Sequence, residues 1–170
     1  MKEVIKRVAA DPLGLMGLCL VTFMVLSAIL ASLIAPYNPI ALNIMDRLQG
    51  PSWSHLLGTD QLGRDLFSRV LYGGQVALKV ALVSTGVSIT IGTVLGMIAG
   101  FGPRWFDGII MLFFDTIRSF PTVMFALATV ALVGPSLSTV IIVIIVTQIP
   151  TYGRVVRTQT LTIKSSEFIK

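Results

Sequence analysis

Residues 12–45, 80–103 and 119–153 of this 170-residue chain carry no charged side chain. About 20 apolar residues in a helix cross a hydrocarbon core roughly 30 Å thick, so each stretch is long enough to span a bilayer. Three such stretches in so short a chain exclude a water-soluble domain. Charged residues make up 12% of the chain and hydrophobic residues 54%, where ordinary globular usage is about 25% charged. Cysteine and histidine are almost absent. With Cys19 alone, no intrachain disulfide or cysteine metal site can form, and His55 stands without a His/Cys cluster to hold a transition metal. Cys19 reads as a small packing residue. The net charge of +5 does not signal nucleic acid, because the basic residues are scattered between apolar runs, where they flank membrane spans. The sequence therefore predicts no catalytic, cofactor-binding or metal site, and a task performed across or within a membrane.

What is present organises into four spans and an all-α polytopic helical bundle. The first covers residues 13–35 behind a basic start (Lys2, Lys6, Arg7) and ends at Pro36-Tyr37-Asn38-Pro39, where a helix cannot easily continue. It is too long for the apolar core of a signal peptide and reads as a retained span. The second covers residues 76–101, the third 108–133 and the fourth 137–156. Gly134-Pro135-Ser136 separates the last two as the tip of a helical hairpin. With four spans both termini lie on one side. That side collects Lys2, Lys6, Arg7, Arg104, Arg154, Arg157, Lys164 and Lys170, against Arg47, Arg64, Arg69 and Lys79 on the other. The excess places residues 1–12 and 157–170 in the cytoplasm and residues 36–75 outside. Within the outer segment, Leu62, Leu66, Arg69 and Val70 have helical spacing, which predicts an amphipathic helix over 61–72 with Asp65 and Arg69 as an i,i+4 pair.

Four groups of residues stand out. Gly58-Thr59-Asp60-Gln61-Leu62-Gly63-Arg64-Asp65 approximates a phosphate-binding loop, but Arg64 and Asp65 replace the Lys and hydroxyl residue that the chemistry needs. Gly92, Gly96 and Gly100 recur every four residues on one helix face, the pattern of a close helix–helix seam. Asp115 and Arg118, three residues apart, share a face of the third span. They read either as a structural ion pair or as part of a transport path, with Pro121 kinking the helix beyond them. Gln148, Pro150, Tyr152 and Gly153 give the end of the fourth span a polar, bendable character, and residues 154–170 turn amphipathic, suited to a membrane surface or a cytoplasmic partner.

Five segments in order carry a resemblance: HLLGTDQLGRDLFSRVLYGG (55–74), IGTVLGMIAGF (91–101), WFDGIIMLFFDTIRSFP (105–121), VGPSLSTVI (133–141) and PTYGRVVRTQTLTIKSSEFIK (150–170). Together they resemble the inner-membrane permease of dipeptide, oligopeptide and nickel-type ABC importers. The sequence departs from that pattern at Gly74-Gln75 and at Pro103-Arg104-Trp105. The resemblance implies a permease in a bacterial or archaeal inner membrane that pairs with a homologous second permease. It also implies two cytoplasmic ATPase subunits, which bind the ATP and Mg, and an extracytoplasmic solute-binding protein. Peptides are the first cargo expected and nickel chelates the second. Glu167, Phe168, Ile169 and Lys170 would form the leading edge of the cytoplasmic loop that docks on the ATPase, making the chain the first four of six spans; a truncated product without transport function is another reading. A secondary transporter driven by an ion gradient is the alternative from a different class, and Asp115 is the single carboxylate the predicted spans offer it.

Overall fold

A computed structural model describes residues 11–165; the basic start and Glu167–Lys170 lie outside the described residues. The described chain is helical, in the order α1 (Pro12–Ile29), α2 (Ala31–Ile34), a 3-10 turn (Ile44–Asp46), α3 (Leu66–Phe101), α4 (Arg104–Ser119), α5 (Thr122–Val133) and α6 (Leu137–Lys164). It forms two compact units that divide between Lys79 and Val80, within α3.

In the first unit, Asp11 caps α1 by accepting from the Leu13 N–H, and Pro12 occupies a first-turn position where its missing N–H costs nothing. The helix is apolar all round, and Leu13, Met16, Phe23 and Met24 are exposed. In water this face would be prohibitive; it suits lipid. Ala28 is buried where α1 meets α3, and a Cβ on Gly74 would stand 3.2 Å from the Ala28 Cβ.

Helix α3 is unbroken for 36 residues, about 54 Å at 1.5 Å per residue, longer than one bilayer core. The amphipathic helix expected over 61–72 is therefore not a separate element. Residues 61–64 form a turn, and the helix that starts at Leu66 runs on through the second span.

In the second unit α4 and α5 each pack on α6. Ala99, Ile110, Phe114 and Ile149 form the buried core, with Leu95, Met111 and Ile145 against it. The span expected over 108–133 is two helices bent by 85° between Ser119 and Thr122. Phe120 and Pro121 are extended there, as a residue before proline prefers, and the Pro121 ring removes one donor from the helix ladder. Among the described residues, three helices are long and apolar enough to cross a membrane, or four if the bent pair counts as one span. Gly134 at φ 94° ends α5, and Ser136 caps α6 by accepting from the Thr139 N–H. Helix α6 does not stop near Val156 but continues to Lys164, with Pro150 buried inside it.

Candidate functional site

The charge-free face of α3 is where the second unit is tightest. A Cβ on Gly92 would lie 2.9 Å from the Tyr152 Cβ, one on Gly96 would lie 2.5 Å from the Gly153 carbonyl oxygen, and one on Gly100 would lie 2.6 Å from the Thr160 Cβ. The three glycines thus face α6 along one line. Gly153 serves α6 in the same way, since a Cβ there would meet the Phe114 ring at 2.4 Å. Gly153 is therefore a packing point. A lone glycine has no period to betray it, although its place one four-residue step before Arg157 on the same helix was available as a signal. Two buried serines follow the seam toward the N-terminal side of α3: Ser88 Oγ donates to the Ser84 carbonyl at 2.6 Å and reaches the Ile145 carbonyl of α6 at 3.4 Å.

Ion pairs fasten α4 to α6 beside this seam. The Arg157 guanidinium donates twice to the Asp107 carboxylate, each bond at 2.5 Å. Arg154 donates to Asp115 at 2.6 Å. Asp115 is thus paired across helices, and the expected pair with Arg118 is not made. An i,i+3 partner is visible in a sequence; one 39 positions away on a packed neighbour is not. Lys164 donates to the Phe101 carbonyl at 3.1 Å, satisfying an orphan acceptor at the α3 C-terminus and complementing its dipole.

Arg118 instead lines a cavity of about 350 Å³ at the α4–α5 elbow. Ile117, Phe120, Pro121 and Thr122 supply the elbow wall, and Thr147, Gln148 and Thr151 of α6 the other. Asp115, Arg118 and Pro121 therefore do not act together: Asp115 belongs to the clamp, Arg118 and Pro121 to the cavity.

The GTDQLGRD segment is a folded clasp. His55 Nδ1 and Asp65 Oδ1 are 2.9 Å apart and both residues are buried. The other Asp65 oxygen accepts from the Ser68 N–H at 2.7 Å, a cap for the first turn of α3. Ser68 Oγ accepts in turn from the Tyr37 N–H at 3.2 Å, and the Tyr37 and His55 rings lie 4.8 Å apart. Asp60 takes the Arg64 side chain at 2.8 Å and pairs with Arg69 as well. Arg69 thus binds Asp60, and the expected i,i+4 pair with Asp65 is replaced by His55. Burial raises the Asp60 pKa, but the Arg64 and Leu62 N–H donors and the Arg64 guanidinium outweigh it and lower the pKa from 3.8 to about 2. Asp65 behaves alike: burial raises its pKa, while the Ser68 N–H and His55 bonds pull it below the usual value. Gly58 and Gly63 are there because both take positive φ; at Gly63 (φ 72°) a Cβ would overlap the Asn43 carbonyl oxygen at 1.6 Å.

Known proteins match both ends of this arrangement. Residues 1–51 match the N-terminal TM domain of oligopeptide transport permease C, and residues 92–170 match the binding-protein-dependent transport system inner membrane component. The chain belongs to the binding-protein-dependent transport permeases. It is 38% identical over 168 residues to a dipeptide transport system permease protein of Alkalihalophilus pseudofirmus, covering 99% of this chain and 55% of that one. A glutathione transport system permease protein of Pectobacterium atrosepticum is 38% identical over 88% of this chain and 50% of its own length. A putative peptide transport system permease protein of Brucella suis is 38% identical over 90% of this chain and 51% of its own. The chain spans about half the length of these relatives.

Proposed function

We propose that this chain works in the permease subunit of an ATP-driven importer that carries short peptides across the inner membrane by alternating access. The observation that carries the reading is the match of two permease family models, in chain order, over residues 1–51 and 92–170. The cargo follows from relatives whose names specify dipeptide, glutathione and peptide. On this reading a homologous permease completes the path, a binding protein delivers the peptide from outside, and two cytoplasmic ATPase subunits bind ATP and Mg. The N-terminus faces the cytoplasm, consistent with the lysine and arginine distribution.

The geometry supports a lever. Helix α6 is joined to α3 by glycine contact and to α4 by two ion pairs, so a push at its C-terminal end is transmitted to the wall of the elbow cavity. Coupling of this kind needs two states, and a ligand or nucleotide that favours one of them. Co-purification of the permease with its ATPase pair, followed by ATPase assay with and without peptide-loaded binding protein, tests the reading. Stimulation by loaded binding protein is expected. A permease that recruits no ATPase pair and moves peptide down an ion gradient contradicts it.

A further inference from the structure

The four arginines of α4 and α6 are treated unequally, and Arg104 lies apart at the first residue of α4. Arg157 holds Asp107 and Arg154 holds Asp115, whereas Arg118 has neither ion pair nor hydrogen bond among the described residues. An uncompensated guanidinium beside the charge-free run 119–153 is expensive in a membrane, and such residues face wet cavities and meet an anion there. The cavity that Arg118 lines has the required character. Its α6 wall is Thr147, Gln148 and Thr151, polar residues that directly follow the apolar run 140–146 of that helix. Thr147 spends its hydroxyl on the Val143 carbonyl at 2.9 Å, while the Gln148 and Thr151 side chains make no hydrogen bond among the described residues. A cavity of about 350 Å³ falls in the usual range of small-ligand sites, roughly 300–1,000 Å³. A guanidinium offers a planar fork that matches a carboxylate, and amide and hydroxyl donors at its side complete a site for one.

We propose that Arg118, with Gln148 and Thr151, forms a carboxylate subsite that receives the C-terminal carboxylate of the peptide in transit. The proposal rests on the peptide-importer reading above and adds to it the group that is recognised and the residue that recognises it. The full permease complex, reconstituted with its ATPases and binding protein, tests it. Uptake of a dipeptide and of the same dipeptide amidated at its C-terminus is measured, each at a concentration that saturates the binding protein. In Arg118→Gln, uptake of the free-carboxylate peptide should fall about tenfold relative to the unsubstituted complex, with the amide changed less than twofold; Arg118→Lys should restore at least a third of the loss. Because Arg118 is exposed, neither variant is expected to disturb folding, and membrane yield checks this. Equal slowing of both peptides, or of neither, overturns the subsite while leaving the importer reading intact. An unsubstituted complex that shows no ATP-dependent uptake of either peptide overturns both.

Discussion

The loop around residues 43–69 and the α3–α6 seam hold their shape by opposite means. The loop is fixed by side chains: His55, Asp60, Asp65 and Ser68 supply a chain of charge-assisted and neutral hydrogen bonds. The seam is fixed by missing side chains, since Gly92, Gly96, Gly100 and Gly153 let backbone meet backbone and ring. Polar bonds suit a segment in contact with water, where the hydrophobic effect alone must otherwise set a loop's register. Close contact suits helices in lipid, where burying apolar surface gains little and packing does the joining. The near match of GTDQLGRD to a phosphate loop comes from two positive-φ glycines serving a different turn.

Substitutions should separate the two regimes. The largest effect is expected at the seam. Gly96→Leu places atoms against the Gly153 carbonyl oxygen and the Arg157 N–H, with no flexible neighbour to yield, and should cost about 3 kcal/mol in detergent unfolding. Asp65→Ala, which removes a helix cap and leaves His55 buried without its partner, should cost about 2 kcal/mol. Protease cleavage within residues 43–69 should accelerate in that variant while the seam stays closed. Asp107→Asn, in an ion pair about one quarter exposed, should cost about 1 kcal/mol and loosen α4 from α6.

Acid provides the next contrast. The Asp60 pKa is depressed, so its contribution is present above 3.8 and is lost as pH falls toward about 2. Pepsin cleavage within residues 43–69 should accelerate as pH falls from 4 to 2, and Asp60→Asn should reduce that acceleration while leaving the share that Asp65 contributes. The smallest effect is expected at Gly86, where a Cβ meets nothing within 4 Å. Gly86→Ala should shift stability by no more than about 1 kcal/mol, in the stabilising direction for a helix interior. A destabilisation there comparable to that of Gly96→Leu would sink the distinction.

The sequence made the membrane helices legible because charge-free length is a direct physical demand of the bilayer. Gly134 was readable as a break, and Pro121 as a kink, although nothing local specifies 85°. The glycine face was readable from its period of four, but its partner was not, because one glycine in α6 looks like any other. The pairings of Asp115 with Arg154 and of Asp65 with His55 were hidden for a single reason: local spacing exposes partners three or four residues away, while tertiary packing chooses among distant ones. Helix α3 was cut short in expectation because its first turns are polar enough to resemble a surface segment, yet Asp65 caps one helix that continues to Phe101.

Uptake of labelled dipeptide into vesicles bearing the full importer, with the ion gradients collapsed by ionophores, tests the central claim most directly. ATP-dependent uptake that survives the ionophores is predicted, and it should vanish when the ATPase subunits are omitted. Uptake that needs an ion gradient and proceeds without ATP would contradict it.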